Sequence, residues 1–100
     1  MAQTPEKKVK TKVEAILKAE DAYYFFPATH GYGRSGVPDI VACVGGKFLG
    51  IECKAGAKKP TALQVRELER IRKANGVAVV ANEENWEEVR ALVRTMKMRP

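Results

Sequence analysis

The sequence predicts an α/β sandwich in which a central mixed sheet is flanked by helices, in the order α-β-β-β-α-β-α. Three observations support this prediction. Two strand-like segments, residues 38–44 and 47–54, meet at Gly45 and Gly46, which suit a two-residue hairpin loop. A helical segment then leads to the apolar run 77–81, typical of a buried strand reached by a crossover. Helical apolar stripes occupy both ends of the chain.

The first helix is predicted over residues 5–20, because Thr4 suits the N-cap and Pro5 suits the first helical position. Its apolar stripe consists of Val9, Val13, Ile16 and Leu17. The aromatic segment 22–26 predicts the first strand, which Pro27 ends. Residues 28–37 contain three glycines and predict a loop.

The hairpin follows, and period-two alternation divides its side chains between two faces. One face carries Asp39, Val41, Cys43, Phe48, Gly50, Glu52 and Lys54, and the other carries Ile40, Ala42, Val44, Leu49, Ile51 and Cys53. Both faces are mostly apolar, so helices are expected on both sides of the sheet. The missing side chain at Gly50 leaves room for a ligand or marks a bulge.

The second half of the chain completes the predicted fold. A helix over residues 61–74 stops at Asn75 and Gly76, a favourable C-terminal pair. The strand 77–81 then lies parallel to its predecessor, since such crossovers are normally right-handed and parallel. The last helix is predicted over residues 83–97, with an inner face formed by Trp86, Val89, Val93 and Met96.

Size and composition describe one globular domain over residues 1–100. Hydrophobic residues make up 45% and charged residues 30%, which excludes a disordered chain. No apolar run approaches the roughly 20 residues needed to span a bilayer, and the N-terminus lacks the apolar segment of a signal peptide. A cytoplasmic location is therefore expected, in the host cell if the protein is viral. The net charge of +6 favours an acidic partner, of which nucleic acid is the commonest.

The two cysteines are not expected to form a disulfide. In the predicted hairpin, Cys43 and Cys53 point to opposite faces of the sheet, which forbids a bridge. No further cysteine or histidine completes a zinc site around them. Both are interpreted as small buried hydrophobes.

The hairpin register brings charged residues together. A two-residue loop pairs Val44 with Lys47, and the same register sets Asp39 directly opposite Glu52. Cross-strand partners have Cβ atoms roughly 4.5–5.5 Å apart, where like charges destabilise a sheet. Lys54 shares the face of Glu52. A divalent metal ion would relieve the repulsion between the two carboxylates and gives the arrangement a purpose.

These residues resemble a known family. The motifs that carry the resemblance are Gly36-Val37-Pro38-Asp39, Glu52-Cys53-Lys54 and Gln64 on the next helix. Together they resemble the PD-(D/E)xK nucleases and, within that superfamily, the VRR-NUC domain of stand-alone viral type. The resemblance covers nearly the whole chain. It implies a restriction-endonuclease-like fold and a Mg²⁺- or Mn²⁺-dependent endonuclease that cuts DNA.

The resemblance also implies roles for individual residues. Asp39 and Glu52 would ligate the metal, with the backbone carbonyl of Cys53 completing the set. Lys54 would orient or activate the attacking water and stabilise charge on the phosphate. Gln64 would join the catalytic group, although Thr61-x-x-Gln64 is equally a capping-box pattern.

The family usually adds a glutamate from the first helix, and three are available. Glu6 is preferred because it shares the inward face of the apolar stripe. Glu14 is the second choice, and Glu20 lies at the far end of the helix.

DNA contacts are predicted at two loops, through Arg34 and Ser35 before Asp39 and through Lys58 and Lys59 after Lys54. The alternative for both loops is a solvated surface. The first-helix lysines spread around the helix and are given only a diffuse electrostatic role; they are Lys7, Lys8, Lys10 and Lys12.

The predicted function is structure-selective DNA cleavage. A hundred residues leave little surface for reading base sequence, so shape recognition is favoured. Viral relatives resemble four-way (Holliday) junction resolvases, and paired symmetric cuts favour a two-fold homodimer. The alternatives are a flap or nicking endonuclease, a non-catalytic module that binds branched DNA, and a small basic scaffold subunit. No membrane and no small-molecule organic cofactor are expected.

Overall fold

The computed structural model describes residues 3–28 and 35–98. Its helices are α1 (Pro5–Ala19), α2 (Ala62–Lys73) and α3 (Trp86–Lys97). Its strands are β1 (Tyr23–Phe25), β2 (Ile40–Val44), β3 (Lys47–Cys53) and β4 (Val77–Ala81). This order confirms the predicted α-β-β-β-α-β-α arrangement. None of the helices within these ranges is long and apolar enough to cross a membrane.

The four strands form one mixed sheet in the order β1-β2-β3-β4. β2 is antiparallel to both of its neighbours, β1 and β3. β4 runs parallel to β3 after the α2 crossover. Within the hairpin, Val44 pairs with Lys47 and Ile40 with Ile51. The predicted register is therefore confirmed from the turn as far as Ile40, the residue that directly follows Asp39.

Helix capping explains where the helices begin. The Thr4 side chain accepts a hydrogen bond from the backbone N–H of Lys7, 3.2 Å away, at the start of α1. Helix α3 begins three residues later than predicted. The reason is a turn in which the Asn85 carboxamide accepts from the backbone N–H of Asn82 and donates to the carbonyl of Val80.

The hydrophobic core lies between one face of the sheet and helices α1 and α3. That face contributes the six buried residues Ile40, Ala42, Val44, Leu49, Ile51 and Cys53. The helices contribute Val9, Val13, Ile16, Leu17, Val89, Val93 and Met96. Both predicted helical stripes are thus part of the core, with Trp86 only partly buried at its margin.

The opposite face of the sheet is only partly covered, which corrects two predictions. Helix α2 packs on β3 and β4, so Cys43 on β2 is exposed and only Cys53 is buried. Gly50 does not open space for a ligand. A β-carbon there would lie 2.7 Å from Ile71 Cδ1 and 3.0 Å from Pro38 Cγ, so the missing side chain lets these two pack against the strand.

The hairpin turn yields a prediction about stability. Gly45 and Gly46 adopt φ values of 59° and 79°, because a type I′ turn requires a positive φ at both of its central residues. A β-carbon on Gly45 would also overlap the backbone oxygen of Met96, which seats the turn against α3. We expect Gly45→Ala to lower the free energy of unfolding by about 3 kcal/mol, measured by urea denaturation.

Gly46→Ala is the matched control for this prediction. It carries the same positive-φ penalty, but its β-carbon would meet nothing within 4 Å. Its expected cost is about 1 kcal/mol. Equal losses in the two variants would show that the contact with α3 does not matter.

Candidate active site

Asp39 and Glu52 meet at one end of the central hairpin. Asp39 directly precedes β2, and Glu52 is the penultimate residue of β3. Because Ile40 pairs with Ile51, the next step of the register brings the two carboxylates together. Asp39 Oδ2 accepts a hydrogen bond of 2.9 Å from the backbone N–H of Cys53, which ties the aspartate to the end of β3.

The segment leading into Asp39 is fixed against the beginning of α2. Gly36 has a φ of 85°, and a β-carbon there would lie 2.7 Å from the backbone carbon and oxygen of Leu63. Only glycine allows this approach without strain. The Gly36-Val37-Pro38-Asp39 motif thus positions the aspartate by packing against the N-terminal turn of α2.

Glu52 is a buried carboxylate with an unsatisfied oxygen. The residue is 1% exposed, and its Oε2 lies 3.6 Å from the Lys54 ammonium. Its Oε1 is buried without a hydrogen-bond partner among the described residues. Burial, together with the nearby Asp39 charge, raises the pKa of Glu52 to about 7, even though the Lys54 ammonium acts in the opposite direction. Ionisation of Glu52 therefore costs free energy in the folded protein, even with the Lys54 ammonium beside it.

Lys54 follows the last residue of β3 and faces inward. Its side chain is only 12% exposed, and its backbone N–H donates to the carbonyl of Ala81 on β4. This bond fixes the chain direction just beyond the strand. The ammonium is consequently held beside Glu52, as the predicted shared face requires.

Lys10 also reaches the site, which the sequence analysis missed. Its ammonium lies 3.5 Å from Asp39 Oδ1 and 3.8 Å from Glu6 Oε2. The diffuse role given to this lysine is therefore incomplete. A signal was available, because Lys10 follows Glu6 by four residues and precedes the buried Val13 by three, on one side of α1.

The three candidate glutamates of the first helix separate clearly. Glu6 lies next to Lys10 and so near Asp39. Glu14 accepts a 2.7 Å hydrogen bond from the Tyr24 hydroxyl on β1, about 12 Å further along the helix axis than Glu6. Glu20 pairs with Arg94 and Lys97 on α3. The structure therefore brings only Glu6 towards the two acidic residues.

Gln64 forms the capping box that was the alternative to its catalytic role. Its side-chain oxygen accepts from the backbone N–H of Thr61 at 2.9 Å, and the Thr61 hydroxyl accepts from the Gln64 N–H. The residue lies on the first turn of α2, beside the segment that contains Gly36. Its contribution to catalysis stays a prediction.

Cys53 can serve the site only through its backbone. Its side chain is fully buried in the core on the other face of the sheet. Burial, together with the charges of Asp39 and Glu52, raises the pKa of the thiol to about 12. A thiol held in its protonated form is a poor metal ligand. The backbone carbonyl remains the predicted donor.

Of the residues predicted to contact DNA, the structure describes three. Ser35, Lys58 and Lys59 are all exposed, while Arg34 lies outside the described residues. Lys58 lines a cavity of about 450 Å³ together with Glu6 and residues of the loop after β3. That loop is held by Glu83, whose two carboxylate oxygens accept from the N–H of Gly56.

The donor set fits a hard divalent cation that is only partly coordinated by side chains. Across residues 3–28 and 35–98, no group of three or more His, Cys, Asp or Glu side chains could hold a metal by itself. Mg²⁺ commonly uses one or two carboxylates and completes its shell with water and substrate oxygens. The unsatisfied Oε1 of Glu52 beside Asp39 is what such an ion would satisfy.

Comparison with known proteins identifies the family. The family model for the archaeal Holliday junction resolvase, Hjc, matches residues 22–98. The chain belongs to the Hjc family. This match includes Asp39, Glu52 and Lys54 and begins after α1, so Glu6 and Lys10 lie outside it.

Two further kinds of relative support the assignment to Hjc-like nucleases. A solved VRR_NUC domain superposes with a TM-score of 0.73 at 25% identity, covering 92% of this chain and 97% of that one. A second VRR_NUC domain protein has a TM-score of 0.72 at 21% identity, covering 96% and 90%, and shows the shared fold. A protein of Acyrthosiphon pisum secondary endosymbiont phage 1 that is named "Putative nuclease p44" is 52% identical over 40 residues. That match spans 39% of this chain and 43% of p44.

Proposed function

We propose that this Hjc-family protein is a metal-dependent, structure-selective DNA endonuclease that acts on four-way junctions as a homodimer. The observation that carries the proposal is the pairing of Asp39 with the buried, unsatisfied Glu52, beside Lys54. Two adjacent carboxylates repel each other, and Glu52 Oε1 has no hydrogen-bond partner among the described residues, so a bound divalent cation would stabilise the pair. The proposed location is the cytoplasm, of a host cell if the gene is viral.

The proposed mechanism assigns one task to each residue. Asp39, Glu52 and the Cys53 carbonyl would hold Mg²⁺ or Mn²⁺. Glu6 is proposed as a further ligand, although its side chain does not form one group with Asp39 and Glu52 in this structure. When bound, the ion supplies the Lewis acidity that makes water nucleophilic and neutralises phosphate charge. Lys54, held beside Glu52, orients that water and stabilises the negative charge that develops on the phosphate. Gln64 is proposed to steady Lys54 or the water from the first turn of α2.

DNA binding is proposed to surround this site. The exposed Ser35, Lys58 and Lys59, with Arg34, would contact the phosphate backbone on both sides of the scissile bond. The net charge of +6 supports such contacts. Recognition of a branched shape is proposed because the small surface offers few contacts to bases, and because the family is named for this substrate.

The proposed dimer would use the part of the sheet that α2 leaves uncovered. This aromatic face consists of Tyr23 and Phe25 on β1 and Phe48 on β3, which are 71%, 48% and 45% exposed. The strand register places Tyr23, Cys43 and Phe48 in one row across the sheet. Exposed aromatic clusters mark interaction surfaces. The face also carries Asp39, so a two-fold axis here would set two sites side by side.

Light scattering tests the dimer directly. We expect wild-type protein to run as a dimer, and Phe48→Ser to shift it towards monomer, because Phe48 is the exposed aromatic side chain that β3 contributes to the face. Met98→Ser, which removes an 81% exposed side chain beyond α3, is the control and should remain dimeric. A monomeric wild type on junction DNA would contradict the paired-cut model.

Incubation of the pure protein with labelled DNA tests the activity. Four-way, flap and plain duplex substrates are compared in Mg²⁺, Mn²⁺ and EDTA. We expect cutting of the four-way junction in either metal and none in EDTA. Preferential cutting of flaps would support the flap-endonuclease alternative, and binding without cutting in every metal would support the non-catalytic module. Cutting that survives EDTA would refute the metal mechanism.

A further inference from the structure

We propose that Lys10 is the counter-ion of Asp39 in the metal-free site, and that its ammonium must leave Asp39 before a divalent cation binds. The released ammonium then becomes available to a DNA phosphate. This inference rests on the proposed function and adds a positioning residue to the same site. Lys10 thereby makes metal binding and DNA binding depend on each other.

The two oxygens of Asp39 have different partners. Oδ2 accepts from the backbone N–H of Cys53 at 2.9 Å, and this donor belongs to the sheet and cannot move away. Oδ1 faces the Lys10 ammonium at 3.5 Å. Oδ1 therefore accepts no hydrogen bond from the sheet backbone, and it is the oxygen that forms the ion pair with Lys10. A cation that binds Asp39 through Oδ1 must displace the lysine.

The two lysines of the site differ in their freedom to move. Lys54 is 12% exposed and pairs with the buried Glu52, so it is confined. Lys10 projects from the surface helix α1 with 34% of its side chain exposed. The same ammonium lies 3.8 Å from Glu6 Oε2, whose side chain is 40% exposed, so Lys10 sits on the solvent side of the site. Lys10 is therefore the displaceable cation.

Charge balance gives the displacement its physical cause. When ionised, Asp39, Glu52 and Glu6 carry three negative charges beside the two ammonium groups of Lys10 and Lys54. A divalent cation adds two more positive charges within a few ångströms. Repulsion between close like charges in a partly buried site reaches several kcal/mol, so the exposed lysine is the one that leaves.

Titration with Mn²⁺ in the absence of DNA tests the competition. We expect Lys10→Met to tighten Mn²⁺ binding about fivefold, which corresponds to loss of one partly exposed competing ion pair. Lys10→Arg keeps the charge and should bind as the wild type does. Lys8→Met removes the same charge from an exposed position of α1 and should change the affinity less than twofold, on the order expected for distant exposed charges.

The sign of the effect separates this proposal from a merely structural role. If Lys10 only braced Asp39, Lys10→Met would weaken Mn²⁺ binding. Weaker or unchanged binding overturns the inference and leaves the proposed function intact, provided that Asp39→Asn still abolishes Mn²⁺ binding. A wild-type protein with no Asp39-dependent Mn²⁺ site would overturn both.

A double-mutant cycle in EDTA tests the release of Lys10 to DNA. Affinity for a four-way junction is measured for the wild type, Lys10→Met, Asp39→Asn and the double variant. Asp39→Asn frees the ammonium, so Lys10→Met should cost about threefold in that background and little in the wild type, as expected for one added phosphate contact. Equal costs in both backgrounds would overturn the release of Lys10.

Discussion

Replacing Asp39 by Asn is expected to reduce DNA cutting by about a thousandfold or more, because a neutral amide cannot hold a divalent cation as a carboxylate does. The fold should survive, since the Asn side-chain oxygen still accepts the hydrogen bond from the Cys53 N–H. Affinity for DNA in EDTA should stay within about fivefold of the wild type, because the loss of one negative charge favours rather than opposes phosphate binding. Single-turnover cleavage and fluorescence anisotropy measure the two properties.

The chain offers a matched control for this substitution. Asp21 is exposed just after α1 with a φ of 57°, a conformation that Asn adopts readily. Asp21→Asn therefore makes the same chemical change away from the site and should leave cutting unchanged. Lys54→Ala should lose cutting as Asp39→Asn does, while retaining DNA binding. Full activity in Asp39→Asn or Lys54→Ala would remove that residue from the mechanism.

Glu52→Gln is expected to stabilise the metal-free protein while it abolishes cutting. At pH 8 the wild type must keep Glu52 ionised in a buried position beside Asp39, and glutamine removes that charge. We expect the free energy of unfolding at pH 8 to rise by about 2 kcal/mol, with the loss of the Lys54 partner included. Glu84→Gln, at an exposed position before α3, should leave stability unchanged.

The sign of the pH dependence follows from the raised pKa. Between the ordinary pKa of 4.5 and about 7, the folded protein keeps the Glu52 proton that the unfolded chain has released. Stability of the metal-free wild type should therefore fall as pH rises through this window. Urea denaturation at pH 5 and pH 8 in EDTA measures the slope, which should be smaller in Glu52→Gln. Equal slopes in the two proteins would show that the folded protein does not disfavour the ionised form of Glu52.

The same titration predicts how activity depends on pH. Metal binding requires the carboxylate form of Glu52, so protons and metal compete for it. Cutting by the wild type should increase as pH rises through about 7. Higher metal concentration should shift this transition to lower pH, because the ion favours the ionised form.

The pairing of Asp39 with Glu52 could be predicted from the sequence, because a two-residue turn determines which residues of its two strands lie opposite each other. The pair Gly45 and Gly46 fixed the register, and the register alone set Asp39 opposite Glu52. Side chains whose position depends on other elements were harder to predict. Cys43 was predicted to be buried because free cysteines usually are, but helix α2 packs on β3 and β4 and leaves Cys43 on β2 exposed.

Lys10 shows a second limit of pattern reasoning. The spacing of Glu6 and Lys10 indicates a pair on α1, but it does not indicate that Lys10 also reaches Asp39, because that contact depends on how α1 packs across the sheet. Gln64 shows a third limit. The Thr61-x-x-Gln64 pattern fits a capping box and also fits a helix with a catalytic glutamine. The observed hydrogen bonds between Gln64 and Thr61 form the capping box, and the catalytic role stays a prediction.

Anomalous diffraction from crystals soaked in Mn²⁺ is the most direct test of the central claim. We expect one strong peak about 2.1 Å from a carboxylate oxygen of Asp39 and from Oε1 of Glu52, with the Cys53 carbonyl nearby. Lys10 should have moved away from Asp39 in the same crystal. A peak that contacts only one of these carboxylates, or no peak between them at saturating Mn²⁺, would contradict it.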